Sequence, residues 1–213
     1  MCVVKNKLKK IIALGVVMST TLGIGAATAQ AALTADSKLT QAINAGVIST
    51  DVRNSSGGVV ASPSFAMGAV SASTSTQTST GTFGDNSQRI TVDNPGGANG
   101  GWTLTLNAKV PGTSKWVSGG NNYNYNGNSS TGQLTANPAV GTIVASIGGT
   151  ANVTLGSQAS FTGSTPLTLV AAAAGSADIW NGYVTGIGLS QAIPAAQPLG
   201  TYTIDMTQTV AAT

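Results

Sequence analysis

The chain has 213 residues, of which 41% are hydrophobic and only 7% are charged, and its formal net charge is +3. It contains neither histidine nor glutamate, and histidine is the commonest general base and the commonest metal ligand in proteins. Four aspartates of the main domain are expected in turns or on threonine-lined strand faces, which does not suit a catalytic carboxylate pair: Asp85, Asp93, Asp178 and Asp205. We therefore expect no catalytic residues, no metal site and no cofactor.

The first 31 residues have the pattern of a secretory signal peptide. Four lysines between residues 5 and 10 precede an apolar run from Ile11 to about Ala27, and the segment ends in Ala29-Gln30-Ala31. A basic start, an apolar centre and a small-residue cleavage site define such a peptide, and an uncleaved membrane anchor is the alternative. The pattern predicts a secreted, extracellular protein with no membrane segment after signal cleavage.

Removal of residues 1–31 changes the charge of the chain. Five basic residues then remain against six aspartates, so the net charge becomes −1. A surface for nucleic acid or for an anionic membrane needs clustered Lys and Arg, and neither partner is expected. Cys2, the sole cysteine, belongs to the leader, so burial rather than disulfide bonding must stabilise the exported chain.

Gly, Asn, Ser, Thr and β-branched residues dominate the rest of the chain, which favours strands joined by turns. Asp36 or Ser37 as N-cap and Gly46 as C-terminal stop predict a short helix, and an edge strand follows up to Arg53. Residues 32–60 are therefore assigned to an N-terminal helix and edge strand, and residues 61–213 to one β domain. The low-complexity segment 71–82 predicts either a solvent-covered edge strand or a flexible, glycan-bearing stretch.

Alternation of apolar and polar residues becomes clear from Gln88 onward. Ile90 and Val92 share one face of a strand, and Trp102, Leu104 and Leu106 share one face of the next. With a Gly-rich break between them, these two strands are expected to form a hairpin. The Gly-, Asn- and Tyr-rich residues 111–138 are expected to form a long loop that is either functional or flexible. Further strands are predicted at 142–147, 151–155, 165–171 and 201–210.

This series of short alternating strands predicts an all-β fold. We expect a single antiparallel β-sandwich of the Ig-like or Greek-key type, with the short N-terminal helix attached to it. The rings of Trp102 and Tyr202 are expected in its interior.

Two segments resemble the WxL-domain family of bacterial cell-wall surface proteins. The first is Ile90-Thr-Val-Asp93, a Gly-rich turn and Gly101-Trp102-Thr103-Leu104-Thr105-Leu106, which is similar to that family's Trp-x-Leu strand. The second is Ile193-Pro194, a spacer and Gly200-Thr201-Tyr202-Thr203, although Gln208-Thr209-Val210 stands where the family has its second Trp-x-Leu. The resemblance implies non-covalent association with a cell wall and binding of peptidoglycan.

Six aromatic residues are candidates for stacking on sugar rings, with neighbouring Asn side chains as hydrogen-bonding groups. For Trp102 the competing interpretation is a core residue, and for Trp116, Tyr123 and Tyr125 it is a lid over the β domain. Trp180 and Tyr183 are alternatively expected in an edge strand or a turn.

These inferences predict a secreted cell-surface protein without enzymatic activity. We expect it to bind peptidoglycan or another envelope glycan, or another surface protein. The alternative is a structural subunit, a homo-oligomer whose copies build a surface layer or fibre by pairing strand edges.

Overall fold

The computed structural model describes residues 37–98 and 100–213. The chain divides into two compact units, Met1–Ala42 and Ile43–Thr213. Of the first unit only residues 37–42 are described, and they have no regular secondary structure. The predicted signal peptide, residues 1–31, lies outside the described residues. Within residues 37–98 and 100–213, no helical segment has the length and hydrophobicity of a membrane span.

The second unit is all-β, as predicted from the sequence, and its strands pair in antiparallel sheets. Over the described residues there are fourteen strands: β1 (Ser49–Arg53), β2 (Gln77–Phe83), β3 (Arg89–Pro95), β4 (Trp102–Ala108), β5 (Trp116–Ser118), β6 (Asn121–Tyr123), β7 (Gln133–Asn137), β8 (Thr142–Ile147), β9 (Val153–Leu155), β10 (Ala159–Ser160), β11 (Leu167–Ala172), β12 (Ile179–Thr185), β13 (Ile187–Ile193) and β14 (Met206–Ala212). A single 3₁₀ turn, Pro138–Val140, is the helical element of this part.

Three four-stranded sheets contain most of these strands. Sheet I has the order β1-β3-β12-β8, sheet II the order β10-β7-β13-β2, and sheet III the order β14-β4-β11-β9. Strands β5 and β6 form a separate hairpin with Trp116 opposite Tyr123.

Sheets I and II are two halves of one bent layer. Strand β12 continues into β13 after one residue, Gly186, and this long strand has partners along both sides. On one side β7 pairs with β13 and β8 pairs with β12, with the 3₁₀ turn between them. On the other side β2 pairs with β13 and β3 pairs with β12. The layer therefore bends where three chain segments pass from one sheet to the other.

Glycines occupy this bend because the backbone there is left-handed or closely approached. Gly84 and Gly186 have φ of 81° and 75°, a region that side chains disfavour. The amide of Gly186 donates a hydrogen bond to the carbonyl of Gly84 at 2.8 Å. A Cβ on Gly141 would lie 3.0 Å from the carbonyl oxygens of Pro138 and Thr185. These three glycines form the glycine corner of the fold.

The core lies between the bent layer and sheet III. Trp102 on β4 and Trp180 on β12 meet there with ring centroids 5.0 Å apart, and Trp102 is 0% exposed. Further buried side chains from both layers surround this pair: Ile90, Val92, Leu104, Leu106, Leu134, Phe161, Leu169, Val170, Val184 and Ile187. The expected interior position of Trp102 is therefore confirmed, while Tyr202 is only half-buried.

The predicted strand at 142–147 is confirmed, and the one predicted at 201–210 is confirmed in part. The C-terminal segment has half-buried residues at Tyr202, Ile204 and Met206, alternating with exposed ones, although strand β14 begins only at Met206. The predicted strand at 142–147 coincides with β8. Segment 71–82 leads into β2 at the edge of sheet II, which agrees with the edge-strand alternative.

The predicted N-terminal helix is wrong for the described residues. Residues 37–48 have no helical structure; Ile43 and Val47 are exposed, and the amide of Gly46 donates to the carbonyl of Pro95. A helix of two or three turns is not stable in water without an apolar face to pack.

The predicted hairpin of residues 88–107 is also wrong. Strand β3 lies in sheet I and β4 lies in sheet III, so the chain passes from one layer to the other between these two strands. Asn94 shapes this crossing: its Oδ1 accepts a hydrogen bond from the amide of Gly97, and its Nδ2 donates to the carbonyl of Asp178. The apolar faces of β3 and β4 therefore face each other instead of lying side by side.

Substitution at the glycine corner tests its role in the fold. We expect Gly84→Ala to lower the free energy of unfolding by more than the about 1–2 kcal/mol that a left-handed alanine costs. The added Cβ would also lie 3.1 Å from Val184 O and from Ile90 Cγ1. Urea unfolding followed by far-ultraviolet circular dichroism measures the change.

Gly57→Ala is the matched control, because Gly57 has a φ of 86° and no atom within 4 Å of its added Cβ. Equal losses in the two variants would show that the contacts at the corner contribute nothing beyond the backbone conformation.

Candidate functional site

The outer face of sheet I carries a groove with about 300 Å³ of space. We call it the polar groove. Residues from all four strands of sheet I and from the turn after β1 line it. Those that carry its chemistry are Asp51, Arg53, Arg89, Thr91, Asp93, Asn181 and Tyr183.

Strand alternation places these side chains together. Trp180, Gly182 and Val184 of β12 are buried, so Asn181 and Tyr183 point to the opposite, outer face. The pairing register then aligns the strands in rows across the sheet. Asp93 lies between Ser49 and Asn181, Thr91 lies between Asp51 and Tyr183, and Arg89 lies opposite Arg53.

Arg89 is held in a fixed position at one end of the groove. Its guanidinium lies over the ring of Tyr183, 4.4 Å from the ring centroid, which is a cation–π geometry. The same guanidinium donates to Asn86 Oδ1 and weakly, at 3.4 Å, to the carbonyl of Ser55. A guanidinium held in this way is ordered before any ligand arrives.

The turn after β1 forms a wall of the groove. The Oδ1 of Asn54 accepts hydrogen bonds from the amides of Ser56 at 3.0 Å and Gly58 at 2.9 Å. An asparagine side chain that binds the backbone beyond it stabilises such a turn. The carbonyl of Ser55 is thereby presented to Arg89.

The loop before β3 supports Arg89 from the other side. Asp85 Oδ1 accepts hydrogen bonds from the amides of Ser87 and Gln88 and from the Ser87 hydroxyl. The Ser87 hydroxyl bond is the largest cause that lowers the pKa of Asp85, and the two amides add to it. This turn positions Asn86 so that its Oδ1 accepts the hydrogen bond from Arg89.

Charge is distributed unevenly along the groove. Arg53 forms an ion pair with Asp51 at 3.0 Å, and Asp93 accepts a hydrogen bond from Asn181 at 3.1 Å. Among the described residues, Arg89 has no carboxylate within ion-pair distance. Since like charges opposite each other on neighbouring strands repel, the Arg53–Arg89 end favours a bound anion or an oxygen acceptor. The groove thus offers a cationic end, an acidic end and amide and hydroxyl groups between them.

Four of the six candidate aromatic residues are buried. Trp102 and Trp180 form the centre of the core, and Tyr125 packs against Phe161 with centroids 5.7 Å apart. Tyr123, on β6, is buried against Trp116 and Tyr202. The two tyrosines of the Gly/Asn-rich segment therefore differ: Tyr125 belongs to the core, whereas Tyr123 packs outside it on Trp116 and Tyr202. A buried ring cannot stack on a sugar unless the core opens.

Trp180 also departs from expectation. It was expected in an edge strand or a turn, but β12 is an inner strand of sheet I, between β3 and β8. The Nε1 of Trp180 donates to the carbonyl of Gly149 at 2.7 Å, which satisfies its polar atom at the margin of the core.

Trp116 and Tyr183 are half-buried but lie apart. Trp116 stacks on Tyr123, with centroids 6.1 Å apart, and its Nε1 donates to the buried Gln191 at 2.8 Å. Gln191 points inward from β13, whereas Tyr183 belongs to the outer face of β12. The six candidates therefore do not converge on one surface, and a glycan-binding role for any of them stays a prediction.

Four charged residues of the polar groove were not predicted as site residues from the sequence: Asp51, Arg53, Arg89 and Asp93. One signal for them exists, since both arginines of the chain and these two aspartates occupy alternate positions of β1 and β3. From alternation alone, such residues are predicted to lie on the solvent-exposed face of a strand. Only the pairing of β1 with β3, which are distant in sequence, makes them neighbours.

Comparisons with known proteins identify no relative of this chain. No protein-family model, no curated protein and no solved structure matches the chain.

The titration of Tyr123 tests the packing of the β5–β6 hairpin. Burial, and to a lesser extent the neighbouring phenol of Tyr202, raises the pKa of Tyr123 from its ordinary value of 10.0 to about 12. Because the folded pKa is the higher one, the resulting stabilisation is present below pH 10 and is lost as the pH rises towards 12.

We expect the near-ultraviolet absorbance of phenolate to show a tyrosine ionising at about pH 12. Tyr123→Phe should remove that late step. A late step that persists in this variant would place the raised pKa on a different residue.

Proposed function

We propose that this protein is exported and binds a glycan of the cell envelope, peptidoglycan or a related wall polymer, through the polar groove. It does so non-covalently, without cofactor and without turnover. The fold proposed for this role is a β-sandwich of the Ig-like or Greek-key type, in which the bent layer and sheet III are the two sheets.

The observation that carries the proposal is the set of fixed polar groups in one groove. Arg89, Asn181 and Asp93 are each held by a neighbouring side chain. Ligand sites commonly consist of a concavity with a few such well-placed donors and acceptors. Sugar hydroxyls pair with Asp and Asn, whereas a carboxylate or phosphate on the glycan pairs with guanidinium groups.

The resemblance to WxL-domain proteins supports a wall polymer as the ligand. In this chain, however, the Trp of the motif, Trp102, is fully buried. We therefore assign that tryptophan to packing between the layers and assign binding to the outer face of sheet I.

Cosedimentation with purified peptidoglycan tests the proposal. We expect the mature protein to be retained, and Arg89→Gln to weaken binding about ten-fold or more, as loss of a charge-assisted hydrogen bond does. Asn181→Ala should weaken binding less, because it removes a neutral amide.

Lys109→Gln is the charge-matched control. Lys109 is highly exposed and pairs only loosely with Asp205, at 3.7 Å, and its loss lowers the net charge as Arg89→Gln does. Equal retention of the two variants would refute the groove as the site, and a wild type that stays in the supernatant would refute binding of peptidoglycan.

A further inference from the structure

The polar groove carries as many negative as positive side chains. Its charged residues are two arginines and two aspartates: Arg53, Arg89, Asp51 and Asp93. A site for a polyanion gains affinity from an excess of Lys and Arg. A balanced set of charges instead favours a ligand that carries both a negative and a positive group.

Two of these four charges neutralise each other within the groove. Arg53 and Asp51 form an ion pair at 3.0 Å. In the described part of the chain, by contrast, neither Arg89 nor Asp93 has an oppositely charged side chain within ion-pair distance. Arg89 and Asp93 are therefore the two groove charges that remain to meet charges on a ligand.

The spacing of these two charges limits the length of such a ligand. Arg89 and Asp93 lie on the same outer face of β3, with Thr91 between them. Four positions along a strand separate two Cα atoms by about 13 Å. An extended chain of about four residues covers this distance, whereas one sugar ring does not. A ligand that engages both charges is therefore an extended molecule with opposite charges near its two ends.

We propose that the polar groove binds a zwitterionic peptide, the peptide part of peptidoglycan, with a carboxylate of the peptide on Arg89 and an ammonium group on Asp93. This inference rests on the proposed function, since it names the part of the wall polymer that the groove holds.

Both residues have hydrogen-bonding capacity for these partners. The guanidinium of Arg89 has more N–H donors than the two that Asn86 and Ser55 engage, and a carboxylate accepts two such bonds in parallel. Asp93 uses its Oδ1 to accept from Asn181, and a carboxylate has further acceptor positions for an ammonium group. Each end of the peptide thus meets a group of opposite charge.

Changing the ligand tests the proposal on the wild-type protein. Acetylation of the free amines of peptidoglycan removes their positive charge and leaves the carboxylates in place. We expect the mature protein to cosediment with acetylated peptidoglycan about five- to ten-fold more weakly than with the intact polymer, as loss of a partly exposed charged hydrogen bond does. Peptides cleaved enzymatically from the same peptidoglycan should release the bound protein, whereas the peptide-free glycan strands should not.

Asp93→Asn tests the acidic end of the groove by the sign of its effect. A zwitterionic ligand loses an attraction in this variant, so binding to intact peptidoglycan should weaken about five- to ten-fold. A purely anionic ligand would lose a repulsion and bind more tightly. The variant should also bind intact and acetylated peptidoglycan equally, because it no longer recognises the amine.

Asp205→Asn is the charge-matched control, because the side chain of Asp205 is 78% exposed and lies outside the groove. It should bind as the wild type does, and circular dichroism checks that both variants are folded. A wild type that stays in the supernatant with intact peptidoglycan overturns the proposed function and this inference together. Three results overturn this inference alone: binding unchanged by acetylation, release by glycan strands instead of peptides, or an Asp93→Asn variant that binds as well as the control or better.

Discussion

The contact between Trp102 and Trp180 is the interaction on which the rest of the structure depends. It joins the two layers, with the rings 5.0 Å apart. It also requires Gly182, because a Cβ there would lie 2.5 Å from Cη2 of Trp180. With Trp180 fixed inward, Asn181 and Tyr183 must point outward, so one strand determines both the core and the polar groove. Residues 37–213 contain no cysteine, and this packing must hold the layers together without a disulfide bond.

Local alternation predicted which residues face the core more reliably than it predicted which strands are neighbours. Ile90 and Val92, like Trp102 and Leu104, are buried as their spacing indicated. The expected hairpin failed because two half-buried strands have the same alternation whether they lie side by side or face each other across a core. Only Asn94 and the glycines of residues 96–101 decide between these arrangements, and their effect depends on contacts with Asp178, distant in sequence.

The strands β12 and β13 were missed for a different reason. Their sequence, from Ile179 to Ile193, mixes glycine, polar residues and aromatics, which is typical of turns and weak edges. Long-range pairing overrides that preference, because β12 gains partners on both sides from residues more than thirty positions away. The aromatic residues of the Gly/Asn-rich segment were misjudged similarly: their neighbours in sequence are polar, but Phe161 and Gln191 offer them partners within the fold.

The candidate site is even less accessible to sequence reasoning than the fold. Arg89 and Tyr183 are separated by 94 positions and yet form one cation–π contact. Composition alone could establish that histidine and glutamate are absent. This excludes both residue types as acids, bases or ligands in any site. Composition could not establish that a turn at Asn54 and a loop at Asp85 would hold a guanidinium from both sides.

The alternation of β12 has a consequence for the sequence changes that this strand can tolerate. Trp180 and Gly182 are buried in the core, whereas Asn181 and Tyr183 line the polar groove. An insertion or deletion of one residue within β12 would exchange its two faces, and would place the polar side chains in the core and the tryptophan in water. Groove residues can therefore be substituted one by one, but the length of the strand cannot change.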